Sequence, residues 1–166
     1  MSVAVRDATF DDVPAILEIT NAAIETTTAN WAEEPKTLDE QIEWFHKKHE
    51  ASLPVIVAHD GIDVVGWATF GPFRPPSGYR HTVEQSIYVA DGRRRAGIGT
   101  ALGTELITRA RAGDVHTIVA GCEGANTASI RLHERLGFVE TGRLTEVGTK
   151  FGRWLDLVFL QLTFDA

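Results

Sequence analysis

Basic side chains are scarce in this chain. Against 23 Asp and Glu stand 16 Lys and Arg, a formal net charge of −7 over 166 residues. A general nucleic-acid binder needs a surplus of cations to neutralise phosphates, so that class is excluded, and any anion held here must be met by a local basic cluster. Cysteine is nearly absent: Cys122 stands alone, which rules out an intramolecular disulfide and cysteine-rich zinc motifs and fits a reducing cytoplasm. Long apolar runs are missing too. Nothing approaches the roughly 18–20 residues of a membrane span, and the segment Met1 to Phe10 carries Arg6 and Asp7 instead of a signal-peptide core. A soluble, unexported, cytoplasmic protein with no membrane partner is expected. No repeat, low-complexity tract or linker divides the chain; with 43% hydrophobic and 23% charged residues, positions 1–166 read as one globular domain.

Periodicity supplies the elements. Val3 to Ala8 alternates as a strand, and Thr9 with Asp12 forms a capping box before a helix carrying Val13, Ile16, Leu17 and Ile24. After the polar connector Thr26 to Trp31, a second box, Thr37 with Glu40, opens a helix burying Leu38, Ile42 and Phe45. Val55 to His59 and Val64 to Phe70 flank Asp60-Gly61-Ile62-Asp63 as a hairpin, and Gly71 to Arg80, rich in Pro and Gly, reads as a loop. Thr82 to Ala90 alternates, with Val83, Gln85, Ile87 and Val89 on one face and Glu84, Ser86 and Tyr88 on the other. A helix from Gly97, a strand at Val115 to Ala120, a short helix from Asn126 to Leu136 with Gly137 as its C′ residue, and strands Val139 to Phe151 and Trp154 to Phe164 complete the chain. The fold class is α/β (α+β): a mixed, mostly antiparallel sheet of six or seven strands, in the order β-α-α-β-β-β-α-β-α-β-β.

The basic cluster lies at one strand-to-helix junction, Arg93-Arg94-Arg95-Ala96-Gly97-Ile98-Gly99-Thr100. Two glycines remove the β-carbons that would block close approach, the first-turn N–H groups are unpaired, and the helix dipole favours an anion by roughly 0.3–1 kcal/mol. This is a phosphate cradle with a cationic rim; the bland alternative is a solvated charge run. A dinucleotide fingerprint would use Gly97 and Gly99 with Glu123 on a ribose, but Leu102 occupies the place of its third glycine and no long βαβ array follows.

Arg94-Arg95-Ala96-Gly97-Ile98-Gly99 resembles the Arg/Gln-x-x-Gly-x-Gly/Ala signature of the GNAT superfamily of acetyl-CoA-dependent N-acetyltransferases. Asn126-Thr127-Ala128-Ser129 followed by Leu132 to Phe138 looks like its second cofactor segment. Thr82-Val83-Glu84, Val147 to Gly152 and Trp154 before Asp156 are similar to the phosphinothricin and methionine sulfoximine N-acetyltransferase group. The resemblance implies the GNAT fold and acetyl-CoA as acetyl donor with no metal. The amides of Arg95, Ala96, Gly97, Ile98, Gly99 and Thr100, beside Arg94, would hold the pyrophosphate. Ile87, Tyr88 and Val89 would offer backbone groups to the pantetheine arm as to an added strand, with Asn126 and Ser129 on the other side. His133 stands where most of the superfamily has Tyr. Substrate contacts are implied at Arg74, Pro75 and Pro76 and at Glu84, Gln85 and Ser86.

Acetyl transfer to an amine needs a base, because a free amino group, with a peptide reference pKa of about 7.7–8.0, is largely protonated at neutral pH. Glu84, on the strand entering the cradle, is the candidate, and general-base help is typically worth about 10²–10⁴ in rate. His133 is the candidate proton donor to the thiolate, and a backbone N–H near Val89 the oxyanion donor. Arg74 and Arg80 flank the loop before Glu84 and suit a bidentate carboxylate clamp; Trp31, Tyr79 and Phe73 are candidate pocket walls. His46 and His49 lack a carboxylate partnership for a metal, and Cys122, with no adjacent His, reads as structural. The expected activity is acetylation of the α-amino group of a small amino-acid analogue such as phosphinothricin, methionine sulfoximine or methionine sulfone. The alternatives are another amine (a polyamine, an aminoglycoside or a protein N-terminus) and a non-catalytic acyl-CoA sensor. The resemblance implies a homodimer through the aromatic strand around Trp154 and Phe159; packing within one chain explains that strand as well.

Overall fold

The computed structural model describes residues 3–93 and 96–165. Arg94 and Arg95, expected on the rim of the cradle, lie outside the described residues.

Seven strands and four α-helices follow in the expected order: β1 (Ala4–Asp7), α1 (Val13–Thr26), α2 (Leu38–Glu50), β2 (Val55–His59), β3 (Val64–Pro72), β4 (Thr82–Val89), α3 (Ile98–Ala112), β5 (Thr117–Glu123), α4 (Thr127–Arg135), β6 (Val139–Lys150) and β7 (Arg153–Thr163). Both capping boxes form. The Thr37 hydroxyl accepts from Glu40 N while Thr37 N donates to the Glu40 carboxylate at 2.7 Å. The Thr9 box opens a short 3₁₀ turn, Phe10–Asp12, before α1 begins with Pro14 in its first turn. Asp12 is drawn away from solvent here, because Arg6 grips it with two hydrogen bonds, at 2.7 and 2.9 Å.

The strands form one sheet in the order β1-β2-β3-β4-β5-β7-β6. Every pairing is antiparallel except β4 with β5. Both faces of the centre are covered, so β2 and β3 are apolar on both sides. On one face α3 packs through Ile98, Leu102, Leu106 and Ala110 against Ile56, Ala68, Phe70, Val83 and Ile118. On the other, Ile16 and Ile19 of α1 and Trp44 and Phe45 of α2 meet Val55, Val57 and Trp67.

Two boundaries differ from expectation. β3 runs on through Gly71 and Pro72, because both pair with β4, and the supposed loop also contains a 3₁₀ turn, Ser77–Tyr79. β5 begins two residues later than Val115 and extends to Glu123 along β7, which puts Cys122 inside the strand.

The parallel pairing is short. Thr82 to Gln85 pair with Thr117 to Ala120, and there the ladder stops. β4 continues to Val89 beside β3 while Gly121 to Glu123 continue beside β7. The centre of the sheet therefore opens into a splay, with the β5-facing edge of Ser86–Val89 left without a strand partner.

Candidate active site

The N-terminus of α3 stands over this splay. Its N-cap, Gly97, has φ +77°, and among the described residues no atom beyond its chain neighbours lies within 4 Å of where its Cβ would stand. An L side chain rarely adopts that conformation, which turns the chain so that the first-turn amides of α3 face outward. α4 closes the other side. Asn126 caps it, accepting from Ser129 N at 3.1 Å, and Gly137 ends it at φ +95°. The helices meet intimately: a Cβ at Gly103 would stand 2.4 Å from Leu136 Cδ1, and one at Gly99 2.9 Å from Leu132 Cδ2. Glu123 is committed elsewhere, accepting from Ala125 N at 2.9 Å and from the Thr28 hydroxyl at 3.1 Å, so the carboxylate of the dinucleotide alternative has structural partners instead.

His133 departs from the expected proton donor. It is 5% exposed, its ring lies edge-on against Phe138, and its Nδ1 donates to Ser129 O at 2.8 Å. Burial pushes its pKa below the ordinary imidazole value, so at neutral pH the ring is uncharged and its Nδ1 proton is already used. Ser129 places its hydroxyl 3.2 Å from Cys122 Sγ, and His133 Nδ1 lies 3.7 Å from the same sulfur. Cys122 thus has a histidine neighbour that its surrounding sequence does not reveal. Burial nonetheless pushes the thiol pKa up, away from a nucleophilic thiolate.

Below the splay, between the sheet and α1 and α2, lies a cavity of about 280 Å³. Its floor follows from strand alternation. Gly71 pairs with Glu84, Thr69 with Ser86 and Trp67 with Tyr88, and all six line the cavity. Thr20, Trp44, Lys48, Asn30 and Lys36 complete the walls. The aromatic rings brace one another: Trp67 stacks on Tyr88 at 5.0 Å and meets Trp44 edge-on at 5.4 Å. Asn30 donates to the Tyr88 hydroxyl at 3.2 Å, while burial pushes the Tyr88 pKa up and keeps the phenol neutral. The Glu84 side chain is 40% exposed, and its Oε1 lies 3.4 Å from the point where a Cβ on Gly121 would stand. Glu84 therefore reaches from the cavity to the first residue of β5 beyond its pairing with β4, joining the two compartments.

The expected substrate residues divide. Arg74, Pro75, Pro76, Tyr79 and Arg80 line a second cavity, of about 410 Å³, on the far side of Pro72. Arg74 alone of the two arginines comes to Glu84, with Nη1 3.9 Å from Oε2, while lying over the Phe73 ring. Arg80 turns back to Ser77 O, so the paired clamp is not assembled at Glu84. Gln85 is 4% exposed on the opposite, core-facing side of β4, and neither atom of its amide has a partner among the described residues. Alternation thus removes its side chain from the acceptor cavity. Trp31 also stands off: its Nε1 donates to Thr28 O, and its ring packs on Gly148, where a Cβ would meet it at 2.3 Å. Lys48, Thr69, Trp44 and Trp67 were not among the expected site residues. The one sequence signal for them was Trp44 and Lys48 four residues apart on α2, on one helix face.

A strand edge opened beside a glycine-turned helix start, with a carboxylate at its mouth, can be compared directly with known proteins. The acetyltransferase (GNAT) family matches residues 16–138. This chain belongs to that family. The GNAT chain is 48% identical over 166 residues to an L-methionine sulfoximine/L-methionine sulfone acetyltransferase of Pseudomonas aeruginosa, covering 99% of this chain and 96% of that protein. It superposes with TM-score 0.94 on a phosphinothricin acetyltransferase from Sinorhizobium meliloti solved with acetyl-CoA, 35% identical, covering 98% and 89% of the two chains. It matches a structure named ribosomal-protein-alanine N-acetyltransferase from Brucella melitensis with TM-score 0.95 and 47% identity, covering 97% and 99%. The GNAT splay suits acetyl-CoA on its own geometry. The free edge of Ser86–Val89 can take an extended amide-bearing arm, and the outward amides at Gly97–Thr100 suit a pyrophosphate.

Proposed function

We propose that this GNAT enzyme transfers the acetyl group of acetyl-CoA to the α-amino group of a small amino-acid analogue, with methionine sulfone, methionine sulfoximine and phosphinothricin as the class. The observation that carries the proposal is Glu84, which lines the α2-walled cavity and also reaches the start of the splay. An amine in the cavity and a thioester in the splay would meet at this carboxylate. Glu84 takes a proton from the ammonium, the freed nitrogen attacks the thioester carbonyl, and as the C–S bond breaks the leaving coenzyme A thiolate takes the second proton that the nitrogen sheds on becoming an amide. A backbone N–H near Val89 supplies the oxyanion donor, and alignment of two bound reactants contributes up to about 7–11 kcal/mol. Backbone groups of Ile87, Tyr88 and Val89, the segment Arg94–Thr100 and Asn126 hold the donor. Arg74, beside Glu84, meets an anionic or oxo group on the acceptor's side chain. His133 anchors α4 to β5.

The cavity volume favours a small acceptor over a protein N-terminus, lying near the lower end of the roughly 300–1,000 Å³ of small-molecule pockets. Capping the amine of a toxic analogue is a detoxification chemistry suited to the cytoplasm. A homodimer is supported by the β6–β7 ribbon, which exposes Leu144, Val147, Phe151 and Trp154. Thiol release from acetyl-CoA over a panel of amines tests the assignment: turnover with amino-acid analogues and not with polyamines or an N-terminal peptide is expected. Cofactor binding without release for any acceptor would indicate a sensor. Glu84→Gln should lower kcat at least tenfold at neutral pH with acetyl-CoA affinity unchanged; an unaltered rate would remove Glu84 as the base.

A further inference from the structure

We propose that Lys48 is the specificity residue that holds the acceptor's α-carboxylate, in the α2-walled cavity and apart from the arginines of the second cavity. This rests on the acetyltransferase reading above for the identity of the acceptor.

Lys48 sits in the last turn of α2, half-buried against the sheet, with Nζ donating to Phe70 O at 2.9 Å. An ammonium has three donors, so two remain for a ligand. Among the described residues no carboxylate stands within ion-pair distance of it, whereas its neighbour Lys47 is paired with Glu43 at 2.6 Å on the exposed side of the helix. Burial pushes the Lys48 pKa down; an anion in the cavity would offset that desolvation. Trp44 lies between Lys48 and Lys36, 5.8 and 5.9 Å from their Nζ atoms, so both cations border the same ring. A chain with net charge −7 thus lines this small cavity with two cations and one carboxylate, Glu84.

The spacing suits a zwitterion. Lys48 Nζ lies 3.0 Å from where a Cβ on Gly71 of β3 would stand, while the Glu84 carboxylate leans over Gly121 of β5. These strands lie on either side of β4, and Gly121 is two residues further along than the partner of Glu84, which puts the two positions about 12 Å apart. Two hydrogen bonds of about 2.8 Å and an amino acid's own nitrogen-to-carboxylate span, roughly 3.5 Å from standard bond lengths, cover most of that gap. An acceptor gripped at its carboxylate by Lys48 would therefore present its amine to Glu84. Arg74 cannot take this role as placed, because it stands at the base itself, 3.9 Å from Glu84 Oε2, and opens toward the second cavity.

The test compares L-methionine sulfone with its carboxamide as acceptors for wild type, Lys48→Met and Lys48→Arg. Lys48→Met should raise KM for the acid at least tenfold, change KM for the carboxamide less than twofold and leave that for acetyl-CoA unchanged, with Lys48→Arg recovering part of the preference. The ratio of acid to carboxamide is insensitive to a general loss of folded enzyme. If acid and carboxamide shift together, or the preference survives in Lys48→Met, Lys48 is not the carboxylate holder. Binding of methionine sulfone without acetyl-CoA, followed by the fluorescence of Trp44 and Trp67, separates the two readings. Binding that is lost in Lys48→Met, with no acetyl transfer by wild type, would sink the proposed reaction and keep the Lys48 site. Wild-type turnover with unchanged Lys48→Met binding would do the reverse.

Discussion

Substituting Gly97 isolates the contribution of one backbone angle to donor binding. With φ at +77° and nothing among the described residues within 4 Å of its absent Cβ, the effect of a side chain there falls on the main chain. For an ordinary L-residue the left-handed conformation costs roughly 1–2 kcal/mol. That cost can appear in two places. If the loop keeps its shape, it is drawn from folding and lowers the melting temperature by roughly 2–8 °C for a chain of this size. If the loop relaxes instead, the cost returns when acetyl-CoA forces the amides outward, and affinity falls by roughly 5- to 30-fold at about 1.4 kcal/mol per decade. The two losses should sum to about 1–2 kcal/mol in Gly97→Ala, be larger in Gly97→Val and shrink in Gly97→Asn, since Asn tolerates the left-handed region. Titration calorimetry with acetyl-CoA and scanning calorimetry of the free protein measure both. The reasoning is refuted if Ala changes neither quantity, or if Asn is as damaging as Val.

Two further perturbations follow. Arg6, donating two hydrogen bonds, holds the Asp12 carboxyl below the usual carboxylate range, so the stability it adds is present above the unfolded value of about 3.9 and is lost as pH falls through the lower folded value. Asp12→Asn should therefore destabilise at pH 7 by about 1–3 kcal/mol and much less near pH 2; urea melts showing the same difference at both pH values would contradict this. Lys150, 3% exposed, donates to Ile24 O and Asn30 O, tying the end of α1 and the connector to β6. Lys150→Met leaves those carbonyls unpaired and should cost about 1–3 kcal/mol and raise the acceptor KM through Asn30 and Tyr88, with acetyl-CoA binding unmoved; an unchanged urea midpoint would count against it.

The order of elements was legible because each carries its period on its surface. Alternation in β4 correctly sends Glu84, Ser86 and Tyr88 one way and Val83 and Gln85 the other; applied to Gln85 alone, it already argues against the substrate contact that the resemblance implied. The cavity was not legible, since separate elements converge on it: Thr20 from α1, Asn30 and Lys36 from the connector, Lys48 from α2, Thr69 from β3 and Glu84 from β4. Lys48 lies within a run of charged and polar residues, His46 to Glu50, and nothing local separates it from Lys47, which faces solvent. The two arginines part for a related reason. Nearness in sequence placed Arg74 and Arg80 on one loop, but the 3₁₀ turn at Ser77–Tyr79 takes Arg80 around to its own carbonyls. For Cys122 the missing information was a pairing eleven residues ahead, with His133.

The short β4–β5 ladder also bears on how the chain is made. β1 to β4 form a four-strand antiparallel set of consecutive neighbours, and β5, β7 and β6 form a three-strand set drawn wholly from the later chain. Only the four residue pairs from Thr82–Thr117 to Gln85–Ala120 join the two sets within the sheet. A ribosome delivers the first set in full before any of the second emerges, and its β2–β3 and β3–β4 pairings join consecutive antiparallel strands that close quickly. The weld between the two halves is parallel, only four residue pairs long and needs the later chain, so it should form late. The gap left beside that seam is where the coenzyme is proposed to bind, so bound coenzyme would brace the part of the sheet that the polypeptide completes last.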